Sequence, residues 1–170
     1  MIYPGRYQCL GELLWDALIQ YKSETAHIEM RRRNEAGRLT YLQFKKDVES
    51  LVRGLQHQGI RPGDRVAILL PNQGNWLLAA TAIFLCGGVL VPLDYKLTAR
   101  EQQDLLAHSK AKALFIEYGL MRKGDSWSVP LTIVTDAPAS ATPVEWVSWE
   151  QIPIQGESIT PIHRKREDIA

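Results

Sequence analysis

The side chains that could carry chemistry are four histidines (His27, His57, His108, His163), Cys9 and Cys86, and the basic runs Arg31–Arg33 and His163–Arg166. A metal site needs histidines, cysteines or carboxylates at short, regular spacing, and none of the four imidazoles stands in such a pattern. Surface or helix-end positions are expected instead, with His57 and His108 near helix C-termini, where a partly cationic ring complements the dipole. Ser, His and Asp are all present, but no nucleophile elbow sets them up for acyl transfer within the chain. Nucleotide phosphates call for a glycine-rich turn from strand to helix, often with a lysine. Gly87 and Gly88 follow a helix and precede a strand, the reverse order, so they mark a helix end and carry no ligand. An arginine triplet on a strand sends alternate side chains to opposite faces, and Glu167 and Asp168 follow the second basic run. Both clusters therefore read as solvated surface and not as a nucleic-acid footprint. Trp146 and Trp149 read as large apolar fillers.

Composition sets the frame for these side chains. The 170 residues are 45% hydrophobic and 23% charged, enough apolar material for a core of one or two units. Twenty basic against nineteen acidic groups leave a net charge of +1, which steers the chain toward neither nucleic acid nor anionic lipid. Both cysteines lie in apolar helical contexts and read as small buried hydrophobes of a reducing, cytoplasmic compartment. The first eight residues lack the apolar run of a cleaved signal, and the stretch from Trp76 to Val91 is broken by Gly87 and Gly88, so no transmembrane segment is expected.

The elements that must position any site follow from periodicity. Leu10, Leu13, Leu14, Ala17, Leu18 and Tyr21 fall at helical spacing. His27–Arg33 and Arg38–Tyr41 flank Asn34–Gly37 as a short hairpin with its turn in that tetrapeptide. Thr40 followed by Gln43 is a capping box, opening a helix whose face carries Phe44, Val48, Leu51, Val52 and Leu55 and which ends at Gly59. Gly63 and Asp64 close a turn before the apolar run Val66–Leu70, which fits a parallel strand covered on both faces. Pro71 and Asn72 end that strand. A helix apolar nearly all round spans about Gly74–Cys86, a strand Val89–Leu93 follows, and Thr98 with Glu101 caps a further helix to about Ser109. Ala113–Glu117 and Leu131–Thr135 read as strands separated by a loop over Tyr118–Ser128, with another strand at Val144–Val147. Residues 1–150 thus read as one α/β unit, a largely parallel sheet flanked by helices with a small N-terminal β-hairpin. Residues 151–170 lose periodicity and read as an extended connector.

Three blocks in order, LTYLQF (Leu39–Phe44), GIRPGDRVAILLPN (Gly59–Asn72) and GGVLVPLDYKLTAREQQDLLAHSKAKALF (Gly87–Phe115), resemble the N-terminal region of the adenylate-forming superfamily. That superfamily contains acyl-CoA synthetases, luciferases and the adenylation domains of peptide synthetases. Tyr95–Thr98 after VPLD are more similar to acid:CoA ligases, since amino-acid-activating domains commonly carry proline after the aspartate. Leu85 and Cys86 depart from the lysine and alanine common before the glycines, a difference in packing.

The resemblance implies an enzyme that joins a carboxylate to the AMP of ATP, releases pyrophosphate and passes the acyl group to coenzyme A, with magnesium and cationic side chains offsetting phosphate charge. The groups that do this lie downstream in the family: a Ser/Thr/Gly-rich loop ending in lysine, acidic and aromatic blocks, and a mobile lid. HRKREDIA (His163–Ala170) is similar to the run leading into that loop. No catalytic, cofactor-binding or metal residue therefore transfers to this chain, and ATP, magnesium and CoA are expected of the parent enzyme and not of this segment. Thr40, Gln43, Gly63, Asp64, Asn72, Gly87, Gly88, Pro92, Leu93 and Asp94 transfer as a structural motif, Pro92–Asp94 with a packing role. The segment alone is expected to be inactive, to partner the remainder of its ligase chain and to self-associate through apolar surface. A stand-alone interaction module on the same scaffold is the rival reading, and a nucleotide-binding Rossmann-like domain a weaker third.

Overall fold

Leu10–Gln20 forms helix α1, and Thr25–Arg31 (β1) and Asn34–Thr40 (β2) pair as an antiparallel hairpin. Tyr41–His57 (α2) follows at once, and then strand and helix alternate: Arg65–Leu69 (β3), Gly74–Leu85 (α3), Val89–Pro92 (β4), Ala99–Ser109 (α4) and Ala113–Glu117 (β5). Tyr118–Met121 (α5), Leu131–Thr135 (β6) and Val147–Ser148 (β7) complete the regular elements. This computed structural model describes residues 2–121, 127–141, 145–165 and 167–168.

The five later strands form one parallel sheet in the order β4-β3-β5-β6-β7. The first of them lies inside, the second outside it, and the third on its other side, so the winding reverses at β3. Strand period explains the two cores. Val66 and Ile68 of β3, Phe115 of β5 and Ile133 of β6 face a layer built from α1, α2 and α3. Ala67, Leu69, Leu114, Ile116 and Val134 face the other way, toward Leu106 of α4 and the partly buried Tyr118, Trp127 and Trp146. Burial on both faces is why β3 and β5 read as unbroken apolar runs.

Local chemistry sets the helix limits. The Thr40 hydroxyl accepts from the Gln43 N–H while the Gln43 side chain accepts from the Thr40 N–H, and Thr98 and Glu101 repeat the pattern at α4. At the end of α3, the Gly88 N–H donates to Ile83 O at 2.8 Å and the Gly87 N–H to Phe84 O at 3.1 Å, with Gly87 at φ +72°. This is a Schellman closure, and it accounts for the glycine. The α2 face placed Phe44, Val48, Leu51, Val52 and Leu55 in the core, each such side chain worth roughly 1.5–3 kcal/mol on burial.

Several expectations are corrected. The hairpin turn is Arg32–Arg33, not Asn34–Gly37: Arg31 pairs with Asn34, and Arg32 and Arg33 take φ +56° and +144°. The arginine triplet therefore does not alternate along a strand; two of its members are the exposed turn. Asn34–Gly37 lies inside β2, where a register shift between Glu29 and Met30 absorbs the irregularity that its composition signals. Part of the supposed loop after β5 is helix α5, whose Tyr118 ring packs on Trp146 with centroids 6.2 Å apart. Cys9 is the residue before α1 and not within a helix. β7 begins at Val147, and Val144 lies outside the described residues.

Residues 152–165 contain no helix or strand, yet they are bonded to the body. Ile152 is buried in the larger core, Pro161 is buried, and the segment is hydrogen-bonded along α2 to the end of α3.

Candidate functional site

The motif residues separate to opposite ends of the sheet. At the amino ends of β3 and β4, Gly63, Asp64, Gly87 and Gly88 come together: the Gly63 N–H donates to Gly87 O at 2.8 Å and the Val89 N–H to Asp64 O at 2.8 Å. The Asp64 carboxylate accepts from the Arg61 N–H at 2.8 Å and pairs with the Lys112 ammonium at 2.8 Å. It thus ties the turn before β3 to the turn before β5. The backbone N–H groups of Gly63, Asp64, Gly87, Gly88 and Val89 all have acceptors within the fold, so the cluster closes a joint between elements. Thr40 and Gln43 are spent on the cap of α2.

At the carboxyl ends, Leu93 is buried, whereas Pro92 and Asp94 are exposed, so the packing role falls to Leu93. Asp94 organises the turn into α4: its carboxylate accepts from the Lys96 N–H at 2.9 Å and its carbonyl from the Gln102 side chain at 3.1 Å. Pro92 sits on the edge strand, where a residue with no N–H removes a donor from the open edge.

Asn72 contributes to a cavity of ≈ 380 Å³ with His27, Gln73, Trp76 and Leu77. It lies past the carboxyl end of β3, the strand at which the winding reverses. His27 arrives from β1, and its Nε2 lies 3.2 Å from where a Cβ on Gly74 would stand. A side chain at the first residue of α3 would displace the imidazole. The Gln73 side chain gives α3 no cap, and its Nε2 is buried without a hydrogen-bond partner among the described residues. Sequence reasoning missed His27, Gln73 and Trp76 here. The only local signal was that Gln73 and Trp76 follow β3; His27 is brought in with β1 by tertiary packing alone. His57 and His108 do lie in the last turns of α2 and α4, while His163 pairs with Glu12. Burial drives the Cys86 thiol up to about 11, which makes it an inert core group.

The helix starts after β3 and β4 do not carry the glycine-rich, lysine-bearing turn that cradles phosphate. At α4 the amide end is already taken by the Glu101 carboxylate, held below its ordinary range by hydrogen bonds from Thr98. A phosphate brought there would meet an anion. At α3 the turn from β3 carries Pro71, Asn72 and Gln73 with no lysine. Among the described residues no group of three His, Cys, Asp or Glu side chains could hold a metal ion, and no helix is long and apolar enough to cross a membrane.

Known proteins of this architecture agree with the three ordered blocks. A sequence profile of the AMP-binding enzyme family matches residues 15–168. The chain is 42% identical over 76 residues to a feruloyl-CoA synthase of an Amycolatopsis species, covering 45% of this chain and 16% of that protein. It is 30% identical over 114 residues to the indoleacetate–CoA ligase of Aromatoleum aromaticum, covering 67% of this chain and 22% of that one. The chain thus spans less than a quarter of these relatives' length. The solved structure of the luciferase-like enzyme of the nonluminescent mealworm Zophobas morio superposes with a TM-score of 0.79 at 20% identity, over 95% of this chain and 38% of that one, a likeness of fold. With the profile covering nearly all of the α/β unit and its relatives being CoA ligases, the chain belongs to the AMP-binding enzyme family.

Proposed function

We propose that this chain is the amino-terminal scaffold of an ATP-dependent acid:CoA ligase. In that reaction a carboxylate oxygen attacks the α-phosphorus of ATP and pyrophosphate leaves; the CoA thiol then attacks the acyl carbon of the adenylate and AMP leaves. The observation that carries the reading is the family match over residues 15–168 together with relatives named as CoA ligases. ATP, magnesium and CoA belong, on this reading, to the whole enzyme. Residues 1–170 contribute the sheet, its closed amino-end joint and the cavity at Asn72, and are inactive by themselves, since the turns into α3 and α4 do not cradle phosphate.

The partner of this scaffold is the remainder of a ligase chain, and the exposed apolar side chains Ile28 and Met30 of β1 and Leu77 of α3 are among those it would cover. Left uncovered, that surface gives self-association, seen as a sedimentation coefficient that rises with concentration; a single monomer species at high concentration contradicts it. Two unpaired cysteines fit a reducing, cytoplasmic setting. The scaffold reading is tested by the coding sequence after Ala170. A Ser/Thr/Gly-rich loop ending in lysine within about 20 residues supports it. A stop codon there favours the stand-alone interaction module.

A further inference from the structure

Residues 152–163 run across three helices of the body, and each of their anchors is built. Ile152 lies over Gly54 in the middle of α2 so closely that a Cβ there would stand 1.8 Å from Ile152 O. The Ile154 N–H donates to Ser50 O at 2.9 Å, and the Arg53 guanidinium returns a bond from Nε to Ile154 O at 2.7 Å. A second guanidinium nitrogen reaches Glu157 O, while the Arg53 stem packs within 3.2 Å of where a Cβ on Gly156 would be. Farther along, the Glu49 carboxylate accepts from the Ser158 hydroxyl and from the Ile159 N–H at 3.2 Å. Glu49 is itself held by Lys45 at 2.8 Å, whose ammonium lies 4.4 Å from the Trp15 ring of α1. The Ile162 N–H donates to Leu85 O at 2.9 Å, its side chain covers Gly87, and His163 reaches Glu12 of α1.

Each of these polar contacts goes to α1, α2 or α3, and the segment adds no strand to the sheet. Its seat depends on two missing side chains, at Gly54 and Gly87, and on one buried carboxylate. A segment with this construction is neither a loose linker nor a sheet element. We infer that residues 152–163 are a strap that docks as one unit on a body folded without it, so that it can leave its seat while the sheet stays intact, with Glu49, Arg53 and Gly54 fixing its position. The strap ends at the corner where Gly63 meets Gly87, with Arg164 Nη1 3.6 Å from a Cβ position on Gly63. With the strap seated, the chain after residue 165 leaves from the amino ends of β3 and β4. The inference does not rest on the ligase reading.

Amide hydrogen exchange on the 170-residue chain tests it, read at Ile154, Ile159 and Ile162 against the amides of β3 and β5. In the unaltered protein the three strap amides share one protection level, at least about tenfold below that of β3 and β5, as expected of a sub-global opening. Protection equal to that of the sheet overturns the inference. Gly54→Ala favours the helix by propensity while blocking the seat of Ile152. The three strap amides should lose protection together while β3 and β5 keep theirs within about threefold. Joint loss in strap and sheet, or no change in the strap, refutes it. Glu49→Gln gives a second reading: all three strap amides fall together if the strap is a unit, and Ile159 alone if it is not.

Discussion

Substituting Gly87 by alanine tests how the amino-end joint is held. Gly87 sits at φ +72°, a left-handed conformation that costs an L-residue roughly 1–2 kcal/mol. A Cβ there would stand 2.7 Å from Ile162 Cγ2, 3.0 Å from Ile162 Cβ and 3.2 Å from Pro62 Cβ. Overpacking of this kind costs about 1–3 kcal/mol more. The sum is about 2–5 kcal/mol, which for a chain of this size lowers Tm by roughly 5–15 °C. Urea titration followed by tryptophan fluorescence, with far-ultraviolet circular dichroism as the second probe, measures the loss. The two terms can be separated, because Ile162→Ala removes the overlap and leaves the backbone strain. In a double-mutant cycle, Gly87→Ala should cost about 1–3 kcal/mol less in the Ile162→Ala background than alone. Strict additivity of the two substitutions, or a loss below about 1 kcal/mol for Gly87→Ala, would refute the claim that Gly87 is required by both its dihedral and its neighbour.

Thr98→Ala removes the hydroxyl that accepts from the Glu101 N–H and should cost about 1 kcal/mol, with Thr98→Ser restoring most of it in the same urea titration. For Glu49, desolvation pushes the carboxyl up, but hydrogen bonds from Lys45 and Ser158, the Lys45 charge and the Ile159 N–H more than offset this, so the group titrates below its ordinary value of 4.5. A depressed carboxyl contributes stability that is present above its unfolded value and lost as the pH falls through its folded one. The urea midpoint should therefore decline as the pH drops below 4.5, and Glu49→Gln should flatten that decline. Cys86, buried and with its thiol near 11, should stay unmodified by a thiol reagent at pH 8 until the protein is unfolded, as mass spectrometry of the modified peptides would show.

What could be read from the sequence was local. The two capping boxes fixed where α2 and α4 begin because donor and acceptor lie three residues apart, the apolar run at Val66–Leu70 announced a strand buried on both faces, and Ala113–Glu117 announced a further strand. The Gly87–Gly88 pair was legible as a helix end for the same reason. The hairpin turn was not. Asn34–Gly37 has better turn chemistry than two arginines, but pairing of Arg31 with Asn34 places the reversal at Arg32–Arg33, wholly ahead of that tetrapeptide. Nor was the strap, whose bonds join residues 101 and 110 positions apart and leave no period in the chain. The cavity escaped for a related reason: His27 and Asn72 become neighbours only when the hairpin packs beside the carboxyl end of β3. Of the motif residues, Asp64 and Asp94 are the two whose roles needed the structure, one tying two turns together and one shaping the entry to α4.

The central claim is that these residues are scaffold for carboxylate activation and lack the groups that perform it. Pyrophosphate release, measured with ATP, magnesium and a panel of aromatic and aliphatic acids, compares residues 1–170 with the protein made from the whole coding sequence. Acid-dependent release by the longer protein and none by residues 1–170 is the predicted result; turnover by residues 1–170 alone would contradict it.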